Sequence, residues 1–318
     1  MKKLLALLIA LCLLPSLAAA ETVVTSFYPI YLFTLNLMDG IDGVTVRNLA
    51  APGTGCLHDY QLQTGDMKVL SEADVFLING AGMEGYLDHV FEVFPELPVT
   101  DASAGIELLP AKLEGVTVGE AETLYNAHVW LDPGNAILMV GNLAEGLMAA
   151  CPDKAEVIAA NRDAYIARLE ALDAALHEGL DALGYKDIVT FHEAFPYFAK
   201  AYGLNVAAVV NREPGDALSP AALGQLVLLL RELGVPPLLI EPQYDDLAAQ
   251  TLARETGAAV YVLDPVVTGP EEDVPLTYYE DIMLENMKLL QEALNHRQRQ
   301  AFVEFAGYDG PIPDRRSL

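Results

Sequence analysis

From Asp153 to Leu183 the chain carries a helical pattern with no proline and with Gly179 as its only glycine. Roughly 30 residues at 1.5 Å rise extend about 45 Å, longer than a small domain is wide. A helix of that length constrains everything around it, because it can act as a rigid spine with one lobe before it and another after. The same pattern also accommodates two helices broken near Gly179. On both sides, short β-branched or apolar runs alternate with helical ones. Before the spine the strands are Val23 to Ser26, Val44 to Ala50, Asp74 to Asn79 and one starting at Val99, with helices Ile30 to Met38, Thr64 to Ser71 and Glu84 to Phe94 between them. A further helix, Asn135 to Ala150, leads into the spine, which Asp153 is placed to cap. After it come strands Ile188 to Phe191, Val206 to Val210, Leu238 to Glu241 and Ala259 to Leu263, and helices Ala194 to Tyr202, Ser219 to Leu233, Asp245 to Thr256 and Tyr278 to Asn295. Strand–helix alternation at this spacing predicts an α/β protein with parallel sheets.

The first twenty residues stand apart. Lys2 and Lys3 precede the apolar run Leu4 to Leu17, and Ala18-Ala19-Ala20 offers a small-residue cleavage site, which is the order of a secretory signal peptide. The expected division is therefore a signal peptide at 1–20, an N-terminal lobe at 21–152, the linking helix at 153–183, a C-terminal lobe at 184–296 and a polar tail at 297–318. Cys12 lies too close to the start, behind bulky Leu11, to suit lipidation. About 300 exported residues exceed what one core usually serves, which favours two lobes. The formal charge of −27 becomes more negative still once the leader's two lysines are removed, and such a surface repels nucleic acid and anionic membranes. Two cysteines then remain, Cys56 and Cys151. An exported chain invites a disulfide between them. However, the helix Asn135 to Ala150 carries Cys151 about 24 Å away from the loop edge near Cys56, well beyond disulfide reach. A small apolar residue packed under its loop is the plainer reading of Cys56.

Six histidines divide by position. His89, His177 and His296 fall within or at the end of helices, where solvation or a helix C-terminus accounts for them. His58, His128 and His192 sit in loops near the expected carboxyl edges of the strands, and Asp264 follows the strand Ala259 to Leu263 directly. Ligands bind at that edge of open α/β sheets. Three imidazoles and one carboxylate drawn from two lobes would make a closed four-ligand site suited to Zn²⁺ or a related ion. A lone loop histidine or a post-strand aspartate has duller explanations, and only the set of four argues for metal.

Five segments carry a resemblance. They are His58-Asp-Tyr60 followed by Asp66 to Asp74, Asn126-Ala-His128-Val-Trp-Leu-Asp-Pro133, Phe191 to Gly203, Leu239-Ile-Glu-Pro-Gln243, and Val262-Leu-Asp-Pro265. In this order the chain resembles the metal-binding proteins of ABC importers, the zinc and manganese cluster, over nearly its whole length after the leader. The resemblance implies two βα lobes joined by one long helix, metal in the cleft between them, and ligands His58, His128, His192 and Asp264. It further implies capture of Zn²⁺ as cargo outside the cytoplasm, delivery to a membrane permease, a monomer and no catalysis. Histidine at the third ligand position resembles the zinc branch; Mn²⁺ or Fe²⁺ is the alternative cargo. Glu241 is expected to hydrogen-bond a ligand imidazole, Glu193 to be a surface carboxylate, and Cys56 is placed to serve as an extra ligand. Trp130, two residues from His128, should pack between lobes and report closure. A secreted zinc hydrolase is the reading from another class, but four protein ligands leave no position for water. An adhesin role gains nothing from an acidic chain without repeats. Three departures from the family pattern stand out. The stretch Lys112 to Tyr125 has no histidine, Gly55-Cys56-Leu57 replaces the usual small-Pro approach to the first ligand, and the tail is long.

Overall fold

The structure, a computed structural model, describes residues 21–55, 57, 60–111, 125–210, 219–243 and 246–306, with 299–306 described by backbone alone. The leader, Cys56 and His58 lie outside the described residues. In the first lobe, β1 (Glu21–Thr25), α1 (Tyr28–Leu37), β2 (Val44–Asn48), α2 (Thr64–Ser71), β3 (Val75–Ile78), α3 (Leu87–Val93) and β4 (Val99–Asp101) alternate as expected. Their four strands form a parallel sheet of order β2-β1-β3-β4. Helix α4 (Pro133–Ala150) then leads to α5 (Ala155–Leu180), the spine. The second lobe follows with β5 (Asp187–Thr190), α6 (Pro196–Ala201), β6 (Asn205–Val209), α7 (Pro220–Glu232), β7 (Leu238–Ile240), α8 (Leu247–Thr256), β8 (Val260–Val262) and α9 (Tyr278–Ala306). Its sheet repeats the order of the first, β6-β5-β7-β8, again parallel. In each sheet the winding reverses beside the strand that opens the lobe, β1 or β5, and the crevice beyond such a reversal is where α/β sheets bind ligands.

Several expectations are corrected in detail. The spine does not break at Gly179, and Asp153 does not cap it: a 3-10 turn, Pro152–Lys154, comes first, and Lys154 takes the cap position. Gly179 is there for packing, since a Cβ at that position would lie 2.3 Å from Met287 Sδ on α9. The polar tail does not start at 297. Helix α9 continues to Ala306 because no glycine or proline intervenes until Gly307, and Arg297 is buried with its guanidinium 5.9 Å from the Tyr185 ring. His296 is therefore inside a helix, not at its end. Gln63, not Thr64, caps α2, in a reciprocal capping box with Asp66. Glu84 to Tyr86 lie outside α3, where the Glu84 carboxylate is used for another purpose described below.

Cys151 is a buried, unbridged thiol at the end of α4, its pKa raised to about 12 by burial and by the nearby Glu21 carboxylate. It lies beside the start of β1, at the amino edge of the sheet, as the length of α4 requires. Among the described residues no single helix is long and apolar enough to cross a membrane.

One apolar cluster runs from the first lobe across α5 into the second, and a smaller one lies under α7 and α8. The spine is tied to both sides by one side chain. Arg168 donates from Nε to Glu280 Oε1 at 2.8 Å on α9, and from Nη2 to Leu276 O at 2.9 Å and to Asn36 Oδ1 on α1. Glu280 is largely buried, so removing Arg168 would leave its carboxylate without its ionic partner in a desolvated place. Arg168→Ala is expected to destabilise the fold by roughly 2–4 kcal/mol in urea unfolding, and Arg168→Ala/Glu280→Gln by less than the two single changes summed.

Candidate metal centre between the lobes

The segment 126–133 forms the floor of the site. It lies beside the carboxyl end of β3, where Asn79 holds it, and side chains satisfy several of its backbone groups. Asn79 Nδ2 donates to Ala127 O at 3.0 Å, Tyr197 Oη donates to Asn126 O at 2.9 Å, and Asn126 Oδ1 accepts from His128 N at 3.0 Å. Asn79 is itself held by Glu84, whose Oε1 and Oε2 accept from the backbone N–H groups of Asn79 and Gly80 at 2.7 and 3.1 Å. A 3-10 turn, Val129–Leu131, follows. Asp132 then caps α4 by accepting from Gly134 N at 2.8 Å, with Pro133 suited to the first helical position.

His192 lies two residues beyond β5 and Glu241 directly beyond β7, so both project from the carboxyl edge of the second sheet. His128 and His192 are buried, and their rings meet edge to face with centroids 4.9 Å apart. Their Nδ1 atoms are both engaged: that of His128 lies 3.2 Å from Asn126 Oδ1, and that of His192 lies 3.2 Å from Glu241 Oε1. An amide oxygen and an ionised carboxylate can only accept, so each contact is a hydrogen bond in the tautomer with the proton on Nδ1, whose lone pair lies on Nε2. Gln243 Nε2 in turn donates to Glu241 Oε2 at 2.6 Å. Glu241 is thus placed as the sequence reading expected. The Glu193 backbone carbonyl accepts from Asn126 Nδ2 at 2.7 Å.

Asp264 lies two residues beyond β8. Asn286 grips its backbone from α9 on both sides, accepting from Asp264 N at 2.9 Å and donating to Asp264 O at 2.7 Å. Its Oδ1 accepts from Val266 N at 2.7 Å, and Val266 has φ of +62°, a left-handed conformation that is costly for a β-branched residue. Burial, with Glu241 and Glu285 nearby, raises the Asp264 carboxyl pKa even against that backbone donor. Such a carboxyl suits a cation. Trp130 closes the arrangement: its Nε1 donates to Pro265 O at 2.8 Å, its carbonyl accepts from Tyr279 Oη at 2.6 Å, and its ring packs against Phe27 and His128. Among the described residues no three His, Cys, Asp or Glu side chains gather closely enough to hold a metal ion. His128 and His192 are brought together, whereas the Asp264 carboxylate is turned to its own Val266 N–H.

The sequence reading gave no role to Asn126, Asn286, Tyr197, Tyr279 or Gln243. Asn286 had left a trace: it interrupts the buried stripe Tyr279, Met283, Leu290 and Leu294 of α9, and a polar residue at such a position needs a partner. The others meet the site only through the tertiary fold.

Two parallel βα lobes that present imidazoles and a carboxylate to a shared cleft define a two-lobed solute-binding protein. The chain belongs to the family described as zinc-uptake complex component A, periplasmic, whose model matches residues 23–293. It is 31% identical over 310 residues to the zinc-binding lipoprotein AdcA of Streptococcus pneumoniae serotype 4, covering 92% of this chain and 61% of that protein. The chain thus spans about three fifths of the length of that relative. The Zn(II)-bound ZnuA-like domain of Streptococcus pneumoniae AdcA superposes with a TM-score of 0.73 at 31% identity, covering 86% of this chain and 99% of the domain. The solute-binding protein FpvC of Pseudomonas aeruginosa in complex with Mn²⁺ superposes with a TM-score of 0.76 at 27% identity, covering 87% of this chain and 99% of FpvC.

The Glu84 carboxyl, buried under the segment that carries His128, has its pKa raised by burial from 4.5 to about 7 despite its two backbone donors. Its folded pKa lies above the unfolded value, so this group costs stability as pH rises through that interval and costs no more above it. Thermal and urea unfolding of the wild type and Glu84→Gln at pH 4.5 and 8 should differ accordingly. The stability of the wild type relative to the variant is expected to fall by roughly 2–4 kcal/mol from the lower to the higher pH.

Proposed function

We propose that this chain captures Zn²⁺ outside the cytoplasm and hands it to the membrane permease of an ABC importer. The observation that carries the reading is the pair of buried imidazoles with centroids 4.9 Å apart, each with Nδ1 held by a hydrogen-bond acceptor. Imidazoles fixed in this way are pre-oriented donors for a borderline ion, and zinc accepts them in tetrahedral geometry. The ligand set is His58, His128, His192 and Asp264, with Glu241 fixing His192 and Cys56 adjacent to the first ligand. The names of the zinc-binding relatives support this cargo. Closing the set requires the Asp264 carboxylate to turn from Val266 N toward the metal. Four protein ligands leave no position for an activated water, so the role is transport and not hydrolysis.

The wider organisation belongs to the same proposal. Residues 1–20 are the export leader, 21–152 form one lobe, the second lobe runs from 184 through α9, the spine between them is the link, and the protein acts as a monomer outside the cytoplasmic membrane. A manganese or iron cargo is the second reading, favoured by the Glu241 carboxylate beside His192 and by the Mn²⁺ complex of a structural relative. Oxygen ligands suit those ions better than zinc.

Competitive titration of the metal-stripped protein with Zn²⁺ and Mn²⁺, followed by calorimetry and Trp130 fluorescence, tests both readings. Zinc is expected to bind one to one and to resist displacement by excess manganese. His128→Ala or His192→Ala should weaken it by more than roughly a hundredfold. Affinity should fall as pH falls, because metal must displace protons from imidazole and from the raised Asp264 carboxyl. Tighter manganese would replace zinc as the cargo, and no specific binding would overturn the capture reading.

A further inference from the structure

Asn126 touches both imidazole-bearing segments. It is buried, and its two amide atoms face opposite ways. Oδ1 accepts from the His128 backbone N–H at 3.0 Å and lies 3.2 Å from His128 Nδ1. Nδ2 donates at 2.7 Å to the carbonyl of Glu193, the residue that follows His192. The orientation of the amide needs no assumption, because a backbone N–H can only donate and a backbone carbonyl can only accept. Its own backbone is pinned as well. Asn126 N donates to Leu109 O at 2.8 Å, and Tyr197 Oη, donating to Asn126 O, also accepts from Leu109 N at 2.8 Å. Tyr197 sits on α6, directly beyond the His192 segment. The loop ahead of α4 and the loop beyond β5 are thus stitched together by protein groups alone.

We propose that Asn126 is a positioning residue that sets the tautomer of His128 and the spacing between His128 and His192 before metal arrives. The proposal rests on the capture reading for its consequence, but its structural content concerns the metal-free protein. The amide performs two separable tasks, acceptor toward His128 and donor toward Glu193. Asparagine alone among the small side chains supplies both from one planar group. Aspartate keeps the acceptor and loses the donor, while alanine loses both.

Three forms therefore suffice: wild type, Asn126→Asp and Asn126→Ala, each checked by thermal unfolding. Histidine tautomers are read in the metal-free proteins by long-range ¹H–¹⁵N NMR, and zinc affinity by competition with a chelator. The visible spectrum of the Co²⁺ form reports coordination geometry. In the wild type, His128 should carry its proton on Nδ1, and in Asn126→Ala it should become a mixture of tautomers. Asn126→Asp should keep the Nδ1–H form yet lose zinc affinity by about 10–100-fold, with an altered Co²⁺ spectrum, because the spacing is no longer held. Asn126→Ala, should it unfold, leaves the aspartate variant to decide. An unchanged His128 tautomer in Asn126→Ala, or a folded Asn126→Asp with wild-type zinc affinity and Co²⁺ spectrum, would overturn the proposal and leave zinc capture standing. A wild type that binds no zinc would overturn the capture reading, and the tautomer measurement would still judge Asn126.

Discussion

The site depends on a single indole. Trp130 has no exposed surface, and its only polar hydrogen goes to Pro265 O, in the loop that carries Asp264. Its carbonyl takes the hydroxyl of Tyr279 from α9, its ring is packed edge-on by Phe27 beyond β1, and His128 lies on its other flank. An aromatic residue with one end apolar and one donor is suited to this, since it can fill an inter-lobe core and still satisfy its N–H. Elements from both lobes and the last helix converge on this residue. Moving the Asp264 loop relative to His128 would strip an indole N–H of its acceptor in a dry environment, which costs more than the bond itself contributes.

The hydrogen bonds around Trp130 bear on how the two lobes can move. The segment 126–130 is joined to the second lobe through Glu193, Tyr197, Pro265 and Tyr279. Joined by these bonds, by the apolar cluster running across α5 and by Arg168 bridging to α1 and α9, the lobes have little freedom for a wide opening. Under the capture proposal the remaining rearrangement is local: the Asp264 carboxylate would exchange Val266 N for the cation, beside the left-handed backbone at Val266.

The two histidines illustrate how unlike surroundings yield like donors. His128 is held by a neutral amide and His192 by a carboxylate, yet both present Nε2. Gln243 keeps the Glu241 carboxylate oriented toward His192, and under the capture proposal Glu241 would act on the metal through that ring.

Much of this was legible in the sequence. Period and punctuation determined the alternation of strands and helices and the parallel sheets, because runs of each period are separated by glycine, proline and polar breaks. His128, His192, Glu241 and Asp264 could be nominated because each falls in a motif beside a break in pattern. Helix ends were less legible. Helix α9 carries on past Asn295 through Arg297, which packs against Tyr185, and Gly179 reads as a break until Met287 is seen to occupy its space. The tertiary structure alone decided which groups hold the ligands. Asn126 meets Glu193, Trp130 meets Pro265, and Asn286 meets Asp264 across separations that no local pattern spans. A side-chain amide or indole carries no sequence mark of its partner, because a hydrogen bond is specified by position in space and not by periodicity along the chain.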